Sequence, residues 1–163
     1  MPVLLKAWPD VHRRTGARLR LVGADPLAVG LLLARHRIPQ DGIDILGFLP
    51  QEDLTRELLS AKTLAAPSIG MESFGMVLTR AFACAVPVVA SDIPGYRAVM
   101  TDETGVLVPP GDERALADAL VALLADEPRR RGLGERARQI AIERYSWGTI
   151  AERLEAIYRE VAT

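Results

Sequence analysis

The chain has 163 residues, of which 49% are apolar and 25% are charged, as in a single globular domain with a sizeable core. The 20 Lys and Arg residues are balanced by 21 Asp and Glu residues, which argues against a nucleic-acid-binding protein. A single cysteine excludes a disulfide within the chain, and no apolar run approaches the roughly 18 residues of a membrane span.

Strand-like and helix-like segments alternate along the chain. Apolar residues at helical spacing predict a first helix over 3–14, and the pair Asp25–Pro26 is typical of the start of a second. The predicted strands are 17–24, 42–50, 62–68, 87–91 and 104–112. The remaining predicted helices are 51–61, a helix beginning near 74, 113–126, 128–144 and 147–161. This alternation predicts one α/β domain, a Rossmann-like three-layer αβα sandwich with a mostly parallel sheet.

The segment between the third and fourth predicted strands has the features of a ligand site. A loop of small residues leads into a helix predicted to begin near Phe74, with Ser73 as its N-cap. The amides of Gly75, Met76 and Val77 would have no partner within the helix, and the helix dipole would favour an anion there. Gly75 would let a ligand approach closely, because it has no side chain. The alternative is a structural helix start that binds no ligand.

The stretch ESFGMVLTRAFACAVPVVASDIPGYRAVM, residues 72–100, followed by TGVLVPPGD, resembles the donor-binding C-terminal domain of retaining GT-B glycosyltransferases of family four. The signature of that family is a Glu, seven residues and a second Glu, beginning E-S-F-G and continuing into P-V-V-A-S. The similarity extends over essentially the whole chain, including residues 47–61 and 143–159. It implies half of a GT-B fold, in an enzyme that transfers a hexose from a nucleoside-diphosphate sugar to an acceptor hydroxyl with retention.

Carried over by position, the resemblance assigns roles to five residues of the helix entrance. Glu72 would hydrogen-bond to hydroxyls of the donor sugar. The backbone of Phe74 and Gly75 would contact the sugar, and the amides of Met76 and Val77 would bind the pyrophosphate. No catalytic residue is assigned with certainty.

The resemblance also implies how the rest of the donor would be bound. Leu46 and Gly47 would lie along the nucleobase. No metal or other cofactor would be needed, because amides and basic side chains neutralise the diphosphate, and the nucleotide sugar itself is the substrate. Because the sequence shows no signal peptide and no membrane span, a bacterial-type cytoplasmic location, with or without peripheral membrane attachment, is expected.

Arg80 departs from the family signature, because it occupies the position of the second acid. In the family that acid accepts hydrogen bonds from the ribose hydroxyls, whereas a guanidinium can only donate. Three alternatives remain open: a surface-directed Arg80, an internal pair with Glu72, or a substitute contact with ribose or phosphate. A smaller departure is Ala85, where family members commonly have glycine.

The resemblance further bears on domain organisation. Family members have an N-terminal acceptor domain, then a strand and a loop with two phosphate-binding cations, before the segment that matches PVLLKAW. We therefore expect residues 1–163 to form a single nucleotide-sugar-binding domain that lacks these parts and is inactive alone. The strands 17–24 and 62–68 would then pair directly, or another chain would cover them, most simply in a homodimer. A non-catalytic binding or interaction module is the competing interpretation.

Overall fold

The computed structural model describes residues 1–161 and has the α/β fold that the sequence predicts. The five strands are β1 (Leu19–Val22), β2 (Ile43–Gly47), β3 (Leu64–Ala66), β4 (Val88–Ser91) and β5 (Gly105–Val108). The helices are α1 (Pro2–Thr15), α2 (Pro26–His36), α3 (Gln51–Ser60), α4 (Met76–Ala83), α5 (Pro94–Arg97), α6 (Glu113–Ala125), α7 (Glu127–Tyr145) and α8 (Trp147–Val161). Each strand falls within a predicted strand, and the short helix α5 was not predicted.

All the pairings between these strands are parallel, but the strands form two separate sheets. The strand β1 pairs with β2, and the other three pair in the order β3-β4-β5. Direct pairing of β1 with β3, one of the two expected outcomes, is therefore not found within residues 1–161. One edge of β1 and one edge of β3 have no strand partner among the described residues, which leaves unpaired N–H and C=O groups.

The strand β4 shows that helices cover both faces of the sheet. Its residue Val89 belongs to an apolar core shared with α1, α2 and α6, together with residues of β1. Its neighbours Val88 and Ala90 belong to a second core, with α4 and α7. Because successive residues of a strand point to opposite faces, the two cores lie on opposite sides of β4. This arrangement is the predicted three-layer sandwich.

Two helix starts are each capped by the side chain of an aspartate. Asp25 is the residue before α2, and its carboxylate accepts a hydrogen bond from the amide of Ala28 at 2.8 Å. In the same way, Asp112 accepts from the amide of Ala115 at 2.9 Å, before α6. Each carboxylate satisfies one of the early amides of its helix, which lack a partner within the helix.

The last helix, α8, contacts α7 but has no buried residue between Trp147 and Val161. The side chain of Trp147 is largely exposed, and those of Leu154, Ile157 and Tyr158 are exposed too. Within residues 1–161, the structure contains no helix with both the length and the apolar character needed to cross a membrane.

Candidate functional site

The candidate site is the loop between β3 and α4, residues 67–75, at the carboxyl end of β3. Ligands of open α/β sheets bind at the carboxyl ends of the strands. The loop has unusual backbone: Met71 has a φ of 63°, Gly70 of 150° and Gly75 of 75°. For Met71 this left-handed conformation costs free energy, and its side chain is fully exposed. Strain of this kind tends to collect at ligand-binding segments.

The start of α4 differs from the sequence-based expectation. The helix begins at Met76 rather than near Phe74, and Gly75, not Ser73, is its N-cap. No side chain caps this helix, and the carbonyl of Gly75 accepts from the amide of Leu78 at 2.9 Å. Gly75 is required here because φ is positive, and because a Cβ would lie 2.8 Å from the ring of Tyr96. The interpretation of Gly75 as a helical residue chosen for ligand access was therefore incomplete.

The amides at the start of α4 are available to an anion. Among the hydrogen bonds of residues 1–161, none uses the amide of Gly75, Met76 or Val77. Met76 and Val77 are exposed, so solvent or a ligand can reach this end of the helix. Three adjacent free amides and the positive end of a helix dipole favour a phosphate group.

Glu72 and Phe74 occupy the same loop. Glu72 is exposed, and its Oε1 accepts a long hydrogen bond of 3.5 Å from the hydroxyl of Ser68. The ring of Phe74 meets that of Tyr145, in α7, edge-on, with 5.6 Å between the ring centroids and an interplanar angle of 83°. This contact joins the loop to the helix layer behind it.

Arg80 is exposed on the last turn of α4. Among the ion pairs of the described residues, none joins Arg80 to Glu72, so the internal pair is not formed in this structure. The reason is geometric, because Glu72 lies in the loop and not one or two helical turns before Arg80. A surface-directed side chain and a contact with ribose or phosphate remain.

Leu46 and Gly47 lie at the carboxyl end of β2. The carbonyl of Gly47 accepts from the amide of Gly23 at 2.7 Å, which joins the ends of β1 and β2. Next to them, Phe48 is 79% exposed, a ring that sequence reasoning did not select. Within residues 1–161, no hydrogen bond or ring contact connects this pair with the loop before α4.

Two residues of α5 that sequence reasoning missed pack against the loop before α4. Tyr96, in α5, is 1% exposed, and its hydroxyl lies 3.0 Å from that of Ser68. Gly95 packs so closely that a Cβ there would lie 2.0 Å from the carbonyl oxygen of Glu72. The only sequence signal for these contacts was the Pro94–Gly95 pair, which is typical of a turn.

A groove of about 450 Å³ between α1 and α6 is a weaker candidate. Its charged groups are already paired: Lys6 contacts Glu113 at 2.8 Å, and Arg14 contacts Asp118 at 2.6 Å. Within residues 1–161, no group of three His, Cys, Asp or Glu side chains is placed to hold a metal ion. The loop before α4 is therefore the better-founded site.

The strands are parallel, helices cover both faces of the sheet, and an open helix N-terminus lies at the carboxyl end of a strand. These are the features of a Rossmann-like domain of the GT-B type. The family model described as "Glycosyl transferases group 1" matches residues 1–126. The chain belongs to this family.

Individual relatives agree with this assignment. The phosphatidyl-myo-inositol mannosyltransferase of Mycobacterium leprae is 43% identical over 122 residues, which cover 74% of this chain and 32% of the relative. The solved sucrose-phosphate synthase of Thermosynechococcus elongatus is 30% identical, with a TM-score of 0.82 over 97% of this chain and 42% of the other. Anabaena Alr3699/HepE in complex with UDP-glucose has the same fold, with a TM-score of 0.80 at 21% identity, over 97% of this chain and 44% of the other. The chain spans less than half the length of each.

Proposed function

We propose that the chain is the donor-binding domain of an enzyme that transfers a hexose from a nucleoside-diphosphate sugar to an acceptor hydroxyl, with retention of configuration. The observation that carries the proposal is the group of free amides at Gly75, Met76 and Val77, directly after the carboxylate of Glu72. The amides are suited to a diphosphate and the carboxylate to sugar hydroxyls, and Glu72 precedes the first of the three amides by three residues.

In this proposal each group has a distinct task. The amides of Met76 and Val77 and the dipole of α4 stabilise the negative charge that develops on the diphosphate as its bond to the sugar breaks. The carboxylate of Glu72 accepts hydrogen bonds from the sugar hydroxyls, which orients the anomeric carbon. The backbone of Phe74 and Gly75 contacts the same sugar. The structure of HepE was solved with UDP-glucose, which makes UDP-sugars the first donors to test.

The base and the cellular location belong to the same proposal. The nucleobase would lie beside Leu46 and Gly47, where the exposed ring of Phe48 offers a surface for stacking. The protein would act in the cytoplasm of a bacterial-type cell. An acceptor resembling phosphatidyl-myo-inositol, the lipid for which the M. leprae relative is named, would bring it to the membrane surface.

A second candidate is a non-catalytic nucleotide-sugar-binding module that is inactive alone. It is favoured by Arg80, because this residue has replaced the acid that accepts from the ribose in the family signature. The two candidates share donor binding and differ in turnover. Slow release of free sugar from a bound nucleotide sugar would favour the enzyme, since such hydrolysis requires a working donor site.

The substitution Glu72→Gln tests the sugar contact. We expect it to weaken the binding of UDP- or GDP-sugars by about 1.5–3 kcal/mol, because charged acceptors form the stronger hydrogen bonds. Binding of UDP or GDP alone should be unchanged. Calorimetry on both ligand types provides the measurement, with Glu52→Gln, an exposed acid in α3, as the control. Equal loss for nucleotide and nucleotide sugar would argue against a sugar contact.

The substitution Arg80→Glu tests the altered position of the signature. It restores an acceptor for the ribose hydroxyls and should strengthen nucleotide binding by about 1–3 kcal/mol at most. Arg80→Gln separates the gain of the acid from the loss of the guanidinium. Weaker binding of both variants in calorimetry would instead mean that Arg80 contacts the phosphate.

We also propose that the chain self-associates, most simply as a two-fold dimer. The unpaired edges of β1 and β3 favour pairing with another chain, and the exposed apolar side chains of α8 add a second adhesive surface. Sedimentation velocity at micromolar concentration should show a dimer. A folded monomer under these conditions would contradict this part of the proposal.

A further inference from the structure

Tyr96 is a buried tyrosine whose ring packs against the loop of the candidate site. Its side chain is 1% exposed, and the hydrogen-bond partner of its hydroxyl among the described residues is Ser68, at 3.0 Å. Ser68 in turn contacts Oε1 of Glu72 at 3.5 Å. A continuous path of polar atoms therefore leads from the core of the domain to the exposed carboxylate in the loop.

The direction of this path follows from the chemistry of its members. A carboxylate can only accept, so the Ser68 hydroxyl donates its single proton to Glu72. The Ser68 oxygen is then left as an acceptor, and the Tyr96 hydroxyl must donate to it. The pKa of Tyr96 is raised, chiefly because burial disfavours the charged phenolate. The phenol therefore keeps its proton at neutral pH and remains a donor.

The ring of Tyr96 and its neighbour Gly95 also fix the backbone of the loop. A Cβ at Gly75 would lie 2.8 Å from two ring carbons of Tyr96, so the loop backbone rests directly on the ring. A Cβ at Gly95 would lie 2.0 Å from the carbonyl oxygen of Glu72. The short helix α5 thus contacts the loop at two points, and the Tyr96 hydroxyl provides a third, through Ser68.

We propose that Tyr96 is a positioning residue that acts through Ser68 to orient the carboxylate of Glu72 towards the donor sugar. The inference rests on the proposed function, because it gives Glu72 the sugar as its ligand. Tyr96 itself does not reach the sugar, since its side chain is buried. With Oε1 held by Ser68, the second carboxylate oxygen of Glu72 is left for a sugar hydroxyl.

The substitution Tyr96→Phe tests the inference, because it removes the hydroxyl and keeps the ring on which Gly75 rests. We expect the affinity for a UDP- or GDP-sugar to fall about fivefold, as for the loss of one hydrogen bond. The affinity for UDP or GDP alone should change less than about twofold, because the amides of α4 remain in place. Ser68→Ala breaks the same path at its middle and should give the same pattern.

A double-mutant cycle shows whether Tyr96 acts through Glu72. In the Glu72→Ala background, which removes the acceptor of the Ser68 hydroxyl, Tyr96→Phe should have no further effect on sugar-nucleotide affinity. Additive losses, equal losses for nucleotide and nucleotide sugar, or unchanged affinity in both Tyr96→Phe and Ser68→Ala would overturn the inference while leaving the proposed function intact. If the wild-type chain binds no nucleotide sugar, the proposed function fails and the inference fails with it.

Discussion

The substitution Gly134→Ala is expected to destabilise the protein by about 3 kcal/mol or more, the upper part of the range for overpacked positions. Gly134 is buried in α7 where this helix crosses α4. A Cβ there would lie 2.1 Å from the carbonyl oxygen of Ala85 and 3.0 Å from its carbonyl carbon. A backbone carbonyl cannot rotate aside like a side chain, so α7 must move away from the segment that follows α4.

Gly132 provides a matched control two residues earlier in the same helix. A Cβ at Gly132 meets nothing within 4 Å, so Gly132→Ala should stabilise the protein by about 0.5–1 kcal/mol through helix propensity alone. Urea unfolding of both variants gives the comparison. Similar unfolding midpoints for the two would mean that α7 does not pack closely on the segment around Ala85.

The substitution Gly95→Ala is also expected to have a large effect, in this case on ligand binding at the candidate site. The added Cβ would be 2.0 Å from the carbonyl oxygen of Glu72 and 2.7 Å from its carbonyl carbon. The loop must move away from α5, which displaces the Glu72 carboxylate and the amides of Met76 and Val77 together. We expect a loss of nucleotide-sugar affinity of at least tenfold, about 1.4 kcal/mol, together with some loss of stability.

Gly30→Ala is the control for this substitution, because Gly30 lies in α2 and a Cβ there meets nothing within 4 Å. It should leave nucleotide-sugar affinity unchanged and should raise the melting temperature slightly. Calorimetry with UDP- and GDP-sugars measures both variants. Undiminished affinity of the folded Gly95→Ala variant would show that the loop after β3 is not the donor site.

The elements with local sequence signals were predicted well. The caps of α2 and α6 need only one carboxylate three residues before the amide that it accepts from, and both Asp25 and Asp112 are used in this way. The strands were recognisable because short apolar runs between turn signals need little tertiary information. The glycine expected at the position of Ala85 has a structural reason, since Ala85 has a φ of 57°, a conformation that glycine adopts more easily than alanine.

The start of α4 was predicted wrongly, because its cause is tertiary. Ser73 has the chemistry of an N-cap, and local rules favour it. The chain instead continues in a left-handed conformation through Gly75, whose backbone rests against the ring of Tyr96 from the next βα unit. No spacing rule connects residues this far apart, and the same limit explains why the contacts of Ser68 and Gly95 were missed.

The pairing of β1 and β3 could not be predicted from the sequence, which left two alternatives: direct pairing of the two strands, or cover by another chain. The pattern of β1 and β3 predicts strands but contains no information on which edges meet. The pair between Glu72 and Arg80, one of three alternatives left open, is not formed, because Glu72 precedes the start of α4 by four residues and Arg80 lies in the last turn of that helix.

The central claim is that the N-terminus of α4 binds the diphosphate of a nucleotide sugar. The most direct test is an NMR titration of the ¹⁵N-labelled chain with UDP, UDP-glucose and their GDP counterparts, following the backbone amides. We predict that the amides of Gly75, Met76 and Val77 shift most with every ligand that binds, because Met76 and Val77 would donate to the phosphate oxygens and Gly75 directly precedes them. A titration that moves other amides and leaves these three unchanged, or no binding by any of the nucleotides, would contradict the account.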